Sequence, residues 1–289
     1  MTWQFTLAGL LVGVLVGMTG MGGGSLMTPM LILLFGFDPK AAVGTDILHG
    51  AIFKSFGAAR HRMLGTVHGH LALWMLLGSA PLSLLGVEVA SSFGDGADES
   101  FQRLIGAALV VCGVGYLAKT LLHRMNVSDA PFILGTRDKV IAASIGATCG
   151  FVVGLTSVGS GTFFGLAMLI VYPLTAQKIV GTDLTHAAAL LWVAGASHLA
   201  HGNVDLHAMA WLLLGSIPGV LLGANMSIRV PDRALRFAFA AILSLSGLKL
   251  MDVPYATAVI AVCGGVAVAI LAGWTVLRLV GRRVSPAVE

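Results

Sequence analysis

The stretch Gly17–Ser25 reads GMTGMGGGS, and 137 positions later Gly154–Thr162 reads GLTSVGSGT. Gly17, Thr19, Gly22 and Gly24 return as Gly154, Thr156, Gly159 and Gly161. Working outward, the same offset of 137 carries Gly44-Thr45-Asp46 onto Gly181-Thr182-Asp183 and His49 onto His186. It also carries His61, His70 and Trp74 onto His198, His207 and Trp211, and Gly78-Ser79…Pro81 onto Gly215-Ser216…Pro218. No gap is needed from Gly17 to Gly86. Two copies of one unit in a very apolar chain are the mark of a membrane transporter whose site lies between the copies.

Composition supports that reading. The 289 residues are 57% hydrophobic and 10% charged, with mean hydropathy +0.92. A soluble domain carries about 25% charged residues, and this chain has too few to cover a surface facing water. Its length accommodates roughly eight to eleven membrane segments at about 20 residues per spanning helix. The net charge of +4 does not point to nucleic acid, because the cations stand at the ends of apolar runs, where they set orientation. Cys112, Cys149 and Cys263 lie inside apolar segments without metal-ligand spacing and read as small packing residues.

The apolar runs of the first half are 3–19, 23–36, 40–58, 68–91 and 102–122, and those of the second are 138–156, 160–173, 177–199, 207–227 and 234–251, with a last run at 255–279. Rich in Leu, Ala and Gly, they predict helices rather than a barrel. The expected fold is an all-α polytopic membrane protein of two inverted helical repeats with glycine-broken helix pairs. Its parts are a first repeat over 1–122, a cytoplasmic linker over 123–139, a second repeat over 140–251, and an extra C-terminal helix with a basic tail over 252–289. Runs 23–36 and 160–173 are too short to span comfortably, and each follows a glycine stretch that breaks helix. Broken backbone at membrane depth survives where protein or a cavity satisfies it, so each glycine stretch is expected to face a polar cavity.

Cations set the orientation. Arg60 and Arg62 predict a cytoplasmic loop, Asp95, Asp98 and Glu99 an outside one, and Arg124, Arg137 and Lys139 the inside again. In the second half Arg60 and Arg62 become Ser197 and Leu199, while Arg229, Arg233 and Arg236 occupy the next loop. Equivalent loops then face opposite compartments, which makes the repeats inverted, with the N-terminus outside and the C-terminus, near Arg278, Arg282 and Arg283, inside.

Both glycine stretches run into hydroxyl residues at the start of an apolar run: Ser25 and Thr28, and Ser160 and Thr162. Unpaired amides and the positive end of a helix dipole favour an anion there. Two such openings predict an anion site near the midplane, with Thr19, Gly22, Gly24, Ser25, Thr156, Gly159, Gly161 and Thr162 as its substrate-binding residues. Asp38-Pro39 reads as an N-cap and first-turn proline, with Thr175 capping the equivalent helix. Asp46 and His49 share one helix face, as do Asp183 and His186. Ionisable groups at that depth are functional candidates. The carboxylates are expected to support the site, since they would repel an anion, and the histidines to carry a coupling proton. Lys54, whose counterpart is Leu191, is expected to snorkel to the cytoplasmic edge. Trp74 and Trp211 read as interface anchors, and Pro81 and Pro218 as kinks.

The doubled glycine stretch, each copy followed by a Gly-Thr-Asp triplet, resembles the TauE/SafE family of sulfite and organosulfonate exporters over about residues 5–250. The resemblance implies a bacterial inner-membrane permease for small sulfur-containing anions such as sulfite, sulfoacetate or thiosulfate. Ser160 stands where the first copy has Gly23, so the halves need not touch a substrate alike.

The leading expectation is therefore a secondary transporter of a small oxyanion, working outward by alternating access. It is expected to be neither an enzyme nor dependent on a cofactor; no GxxxxGK[ST] string occurs, so its energy is expected to come from an ion gradient or the membrane potential. Its partners are the anion and the bilayer, and a homo-oligomer is compatible with the sequence. The alternatives are a small-anion channel, or a transition-metal permease using the edge histidines His61, His68, His70, His198, His201 and His207. An intramembrane hydrolase pairing Ser25 with His49, or Ser160 with His186, lacks any recognised nucleophile motif.

Overall fold

A backbone that must satisfy its polar groups without water folds as helix, and the described residues contain ten helices and no strand. The computed structural model describes residues 2–19, 24–93, 97–121, 132–226 and 232–256. The chain divides into two units, Met1–Met251 and Asp252–Glu289, and all ten helices belong to the first. The first half holds α1 (Thr2–Thr19), α2 (Gly24–Phe35), α3 (Pro39–Met63), α4 (Gly69–Ser92) and α5 (Asp98–Leu121). The second holds α6 (Thr136–Thr156), α7 (Phe163–Val171), α8 (Ala176–Ala200), α9 (Leu206–Met226) and α10 (Asp232–Leu250). Gly22, Asp95, Cys263, residues 257–279 of the last run and the arginines Arg124, Arg229, Arg278, Arg282 and Arg283 lie outside the described residues.

Helix ends follow from local chemistry. Asp38 caps α3 by accepting from the Lys40 and Ala41 amides at 2.9 and 3.1 Å, with Pro39 in the first turn. Thr175 caps α8 through the Lys178 amide. Both caps are the ones the sequence predicts. His68 caps α4, its Nδ1 accepting from the Leu71 amide at 3.2 Å. Asp98 and Glu99 occupy the first turn of α5, at the positive end of its dipole.

The helices pack mainly as α1 on α9, α4 on α6, α5 on α10 and α3 on α8. Exchanging the halves turns the first pair into the second and each of the other two into itself. The close contacts obey the same exchange. A Cβ at Gly78 would lie 1.9 Å from the Ala143 carbonyl oxygen, and one at Gly215 would lie 1.9 Å from that of Thr6. Both glycines let two helix backbones touch, which is how small residues join helices in lipid.

Leu7, Leu11, Leu73, Leu77, Leu214, Leu221 and Leu222 are exposed, more apolar surface than a soluble monomer tolerates. Among the described residues four helices are long and apolar enough to cross a membrane: Gly69–Ser92, Thr136–Thr156, Gln177–Ala200 and Leu206–Gly223. The 25-residue α3 carries Asp46 and Lys54, but both are buried in protein and not presented to lipid, so an average along the chain underrates it.

Candidate functional site

The site is built where α3 and α8 cross the ends of α2 and α6. In each helix the Gly-Thr-Asp triplet does three separate things. Gly44 lets α3 approach the backbone of Asn203, and Gly181 lets α8 approach that of Thr66. The next residue accepts the neighbouring loop's amide: Thr45 Oγ1 from Asp205 N and Thr182 Oγ1 from His68 N, both at 2.9 Å. Each triplet thus clasps a loop of the opposite half, and the aspartate that ends it is buried. The clasp is not legible in the triplet, because its partner lies more than 100 positions away (|i−j| of 160 and 114).

The second glycine turn is fully described. α6 ends on Ser157 with φ 60°, and Gly159 and Gly161 follow with φ 102° and 127°. Glycine is needed at those two positions, since side chains rarely adopt such angles. Residues 153–162 are all buried. Successive amides in alternating turn conformations make an anion-binding concavity, and α7 starts immediately after it. Thr156 is spent within the turn: its hydroxyl donates to the Val152 carbonyl and accepts from the Val158 amide. Thr162 Oγ1 is buried without a hydrogen-bond partner. Of the first turn, Thr19 ends α1 and Gly24 begins α2.

Side chains join α2 to the second turn. Thr28 of α2 and Ser157 of the second turn both donate to Asp46 Oδ2, at 2.5 and 2.8 Å. Ser25 lies 3.7 Å from the Cys112 thiol, which also stands close to Thr162, too loosely for a hydrogen bond. Asp46 therefore binds hydroxyls from both halves, which accounts for a buried carboxylate. Asp183 is buried as well. His49 Nε2 pairs with Ser216 Oγ at 2.8 Å, and His186 Nε2 with Ser79 Oγ at 2.9 Å. The aromatic rings of Phe53 and Phe164 lie beside these imidazoles. The sequence singles out both histidines but not their serine partners. The signal is available, because Ser79 and Ser216 recur in the Gly-Ser…Pro repeat.

Lys54 does not snorkel. It is buried, and its Nζ donates to the Ser160 hydroxyl at 2.8 Å and the Ser160 carbonyl at 3.0 Å. Its face of α3 turns to the second glycine turn and not to lipid, which position along an apolar run does not reveal. The hydrolase pairs do not form either: Ser25 neighbours Cys112 and Ser160 holds Lys54.

The edge histidines serve local structure. His198 Nε2 meets the Gly154 carbonyl, His201 Nε2 meets Glu88, and His68 Nε2 meets the Phe132 carbonyl. Among the described residues no three His, Cys, Asp or Glu side chains are grouped as a metal would require. A cavity of about 350 Å³ opens between the end of α3, the start of α4 and α8, running from exposed Arg62 and Gly65 to buried His186.

The model of the sulfite exporter TauE/SafE family matches residues 5–250. A Bacillus subtilis protein named probable membrane transporter protein YjnA is 38% identical over 255 residues, covering 87% of this chain and 100% of its own. A second from the same organism, probable membrane transporter protein YdhB, is 23% identical over 83% of this chain and 96% of its own. A Methanocaldococcus jannaschii protein, probable membrane transporter protein MJ0441, is 24% identical over 85% and 93%. No solved structure matches. The chain belongs to the sulfite exporter TauE/SafE family of membrane proteins.

Proposed function

We propose that this TauE/SafE chain moves a small sulfur-containing anion of the sulfite or sulfonate class out across the bacterial inner membrane. The observation that carries the reading is the buried turn at 157–162, where the left-handed residues Ser157, Gly159 and Gly161 break the helix beside Ser25, Thr28 and Thr162. By the repeat, Thr19, Gly22 and Gly24 are assigned to the cradle from the first half, Gly22 lying outside the described residues, with Thr156 bracing the second turn. The halves 1–122 and 140–251 are inverted repeats, N-terminus outside and C-terminus inside, as the positions of Arg60, Arg62, Arg137 and Lys139 support. Rocking one half against the other exposes the cradle alternately to each side. A negative-inside potential drives an anion outward by about 2.3 kcal/mol per charge per 100 mV.

Asp46 and Asp183 support the site, and His49 and His186 couple protons to it. In this conformation Nδ1 of both rings is buried without a hydrogen-bond partner. A second proton on either ring would need an acceptor at that nitrogen, so protonation favours whichever conformation provides one. That differential is what a coupling group requires.

The test is sulfite flux in proteoliposomes. Saturable efflux, accelerated by sulfite on the opposite side, is the expected result. Flux that rises linearly with concentration and shows no counterflow would replace the carrier with a channel, and no flux of sulfite or any sulfonate would end the anion reading.

A further inference from the structure

We propose that the Lys54 ammonium is the cation that holds the transported anion; this rests on the anion reading above. Four observations lead to it. Lys54 is 1% exposed, among the largest fully buried side chains of the protein. A buried ammonium needs partners, and it crosses from the first half to the second to find them at Ser160. Those two hydrogen bonds leave the third N–H of the ammonium for another acceptor.

The second observation is what surrounds it. Asp46, Asp183, His49 and His186 all lie within its electrostatic reach. Asp46 and Asp183 are the negative charges within that reach. An incoming oxyanion offers the same charge and the same acceptor geometry, so it competes for the ammonium on equal chemical terms.

Third, hydrogen-bonding capacity near the lysine is unused. Thr162 Oγ1 is buried without a hydrogen-bond partner, and Thr162 belongs to the turn that Lys54 binds. A hydroxyl two residues from Ser160 can donate to an oxyanion held there. The cavity that begins at Arg62 ends at His186, within range of the Lys54 charge. An anion entering from that side meets Arg62 at the mouth.

Fourth, Lys54 has no counterpart. The contacts that build the fold come in pairs: Gly78 and Gly215, Thr45 and Thr182, His49 and His186. Lys54 maps onto Leu191, which is buried. The same helix crossing is thus packed with leucine on one side, so packing does not require the lysine.

The test measures sulfite binding to the purified full-length chain by calorimetry, with melting temperature recorded separately in the absence of ligand. The variants are Lys54→Arg, Lys54→Met, and Lys54→Met combined with Asp46→Asn, which removes one charge of each sign. We expect Lys54→Arg to bind sulfite within about tenfold of the parent, and both methionine variants to lose at least about thirtyfold, the equivalent of about 2 kcal/mol. A merely structural lysine would lower the melting temperature and leave the dissociation constant unchanged. If the charge-balanced double variant binds sulfite within about threefold of the parent, Lys54 is not the binding cation. If the parent itself binds neither sulfite nor methanesulfonate, the anion reading has failed and takes this one with it.

Discussion

The two halves share the contacts that join their helices and differ in the polar atoms around Asp46 and Lys54. Gly44 and Gly181, Thr45 and Thr182, and His49 and His186 each meet equivalent partners across the exchange. Around the aspartates the equivalence stops. Asp46 accepts from Thr28 and Ser157, and the counterparts of those hydroxyls at the 137-residue offset are Gly165 and Gly20. The two hydroxyls that hold Asp46 therefore have no equivalents at the offset positions. The lysine follows the same rule, with Leu191 opposite Lys54. The duplication supplies a symmetric frame, and the chemistry placed inside it is one-sided.

The likeness of the halves is broken most severely at the helix contacts that both need. Gly78→Ala puts a Cβ 1.9 Å from the Ala143 carbonyl oxygen, and Gly215→Ala does the same at Thr6. Neither obstacle is the flexible end of a side chain. Each variant is expected to lose about 3 kcal/mol or to yield no folded protein, and the two losses should be equal. Gly69→Ala, where nothing lies within 4 Å, should stay within about 0.5 kcal/mol of the parent. Melting in detergent checks all three. A large loss at Gly78 beside a small one at Gly215 would show that the frame is not shared.

A smaller effect sharpens the asymmetry. Ser157→Ala and Thr28→Val each remove one hydroxyl from the buried Asp46 carboxylate. A hydrogen bond to a charged group contributes about 1.5–3 kcal/mol, so each variant should lose that much stability. Asp46→Asn should lose less in a Ser157→Ala background than in the parent, because the two groups interact. Strictly additive losses, measured by the same melts, would show that Ser157 and Asp46 are not coupled.

How much of this can be read from the chain depends on the distance between partners. The repeat, the helical fold, the caps at Asp38 and Thr175 and the break at Gly159 and Gly161 are local, and local pattern reveals them. Hydrophobic runs also place the helix boundaries well, with α1 over Thr2–Thr19 against a run of 3–19 and α4 over Gly69–Ser92 against 68–91. Lys54 escapes such a reading because a single run reports depth in the membrane but not which neighbour a side chain faces. Its partner Ser160 is 106 residues away (|i−j| of 106). The clasp made by Thr45 and Thr182 is hidden for the same reason. The edge histidines suggest a metal by spacing alone, whereas His198 and His201 bond to α6 and α4 respectively, at Gly154 and Glu88.

The smallest expected effect tests whether the two histidines remain equivalent despite the one-sided chemistry around them. Ser79 Oγ and Ser216 Oγ each engage one imidazole Nε2, at 2.9 and 2.8 Å, and all four residues are buried. Replacing either serine by alanine removes a neutral hydrogen bond and leaves Nε2 with no hydroxyl to meet. Each variant should cost about 1 kcal/mol, and the two should agree. Transport separates what stability does not. If both histidines couple protons, Ser79→Ala and Ser216→Ala should change the pH dependence of sulfite flux to the same degree. If only Ser79→Ala changes it, coupling runs through His186, the histidine that the Arg62 cavity reaches, and access rather than the duplicated hydrogen bond decides which imidazole takes the proton.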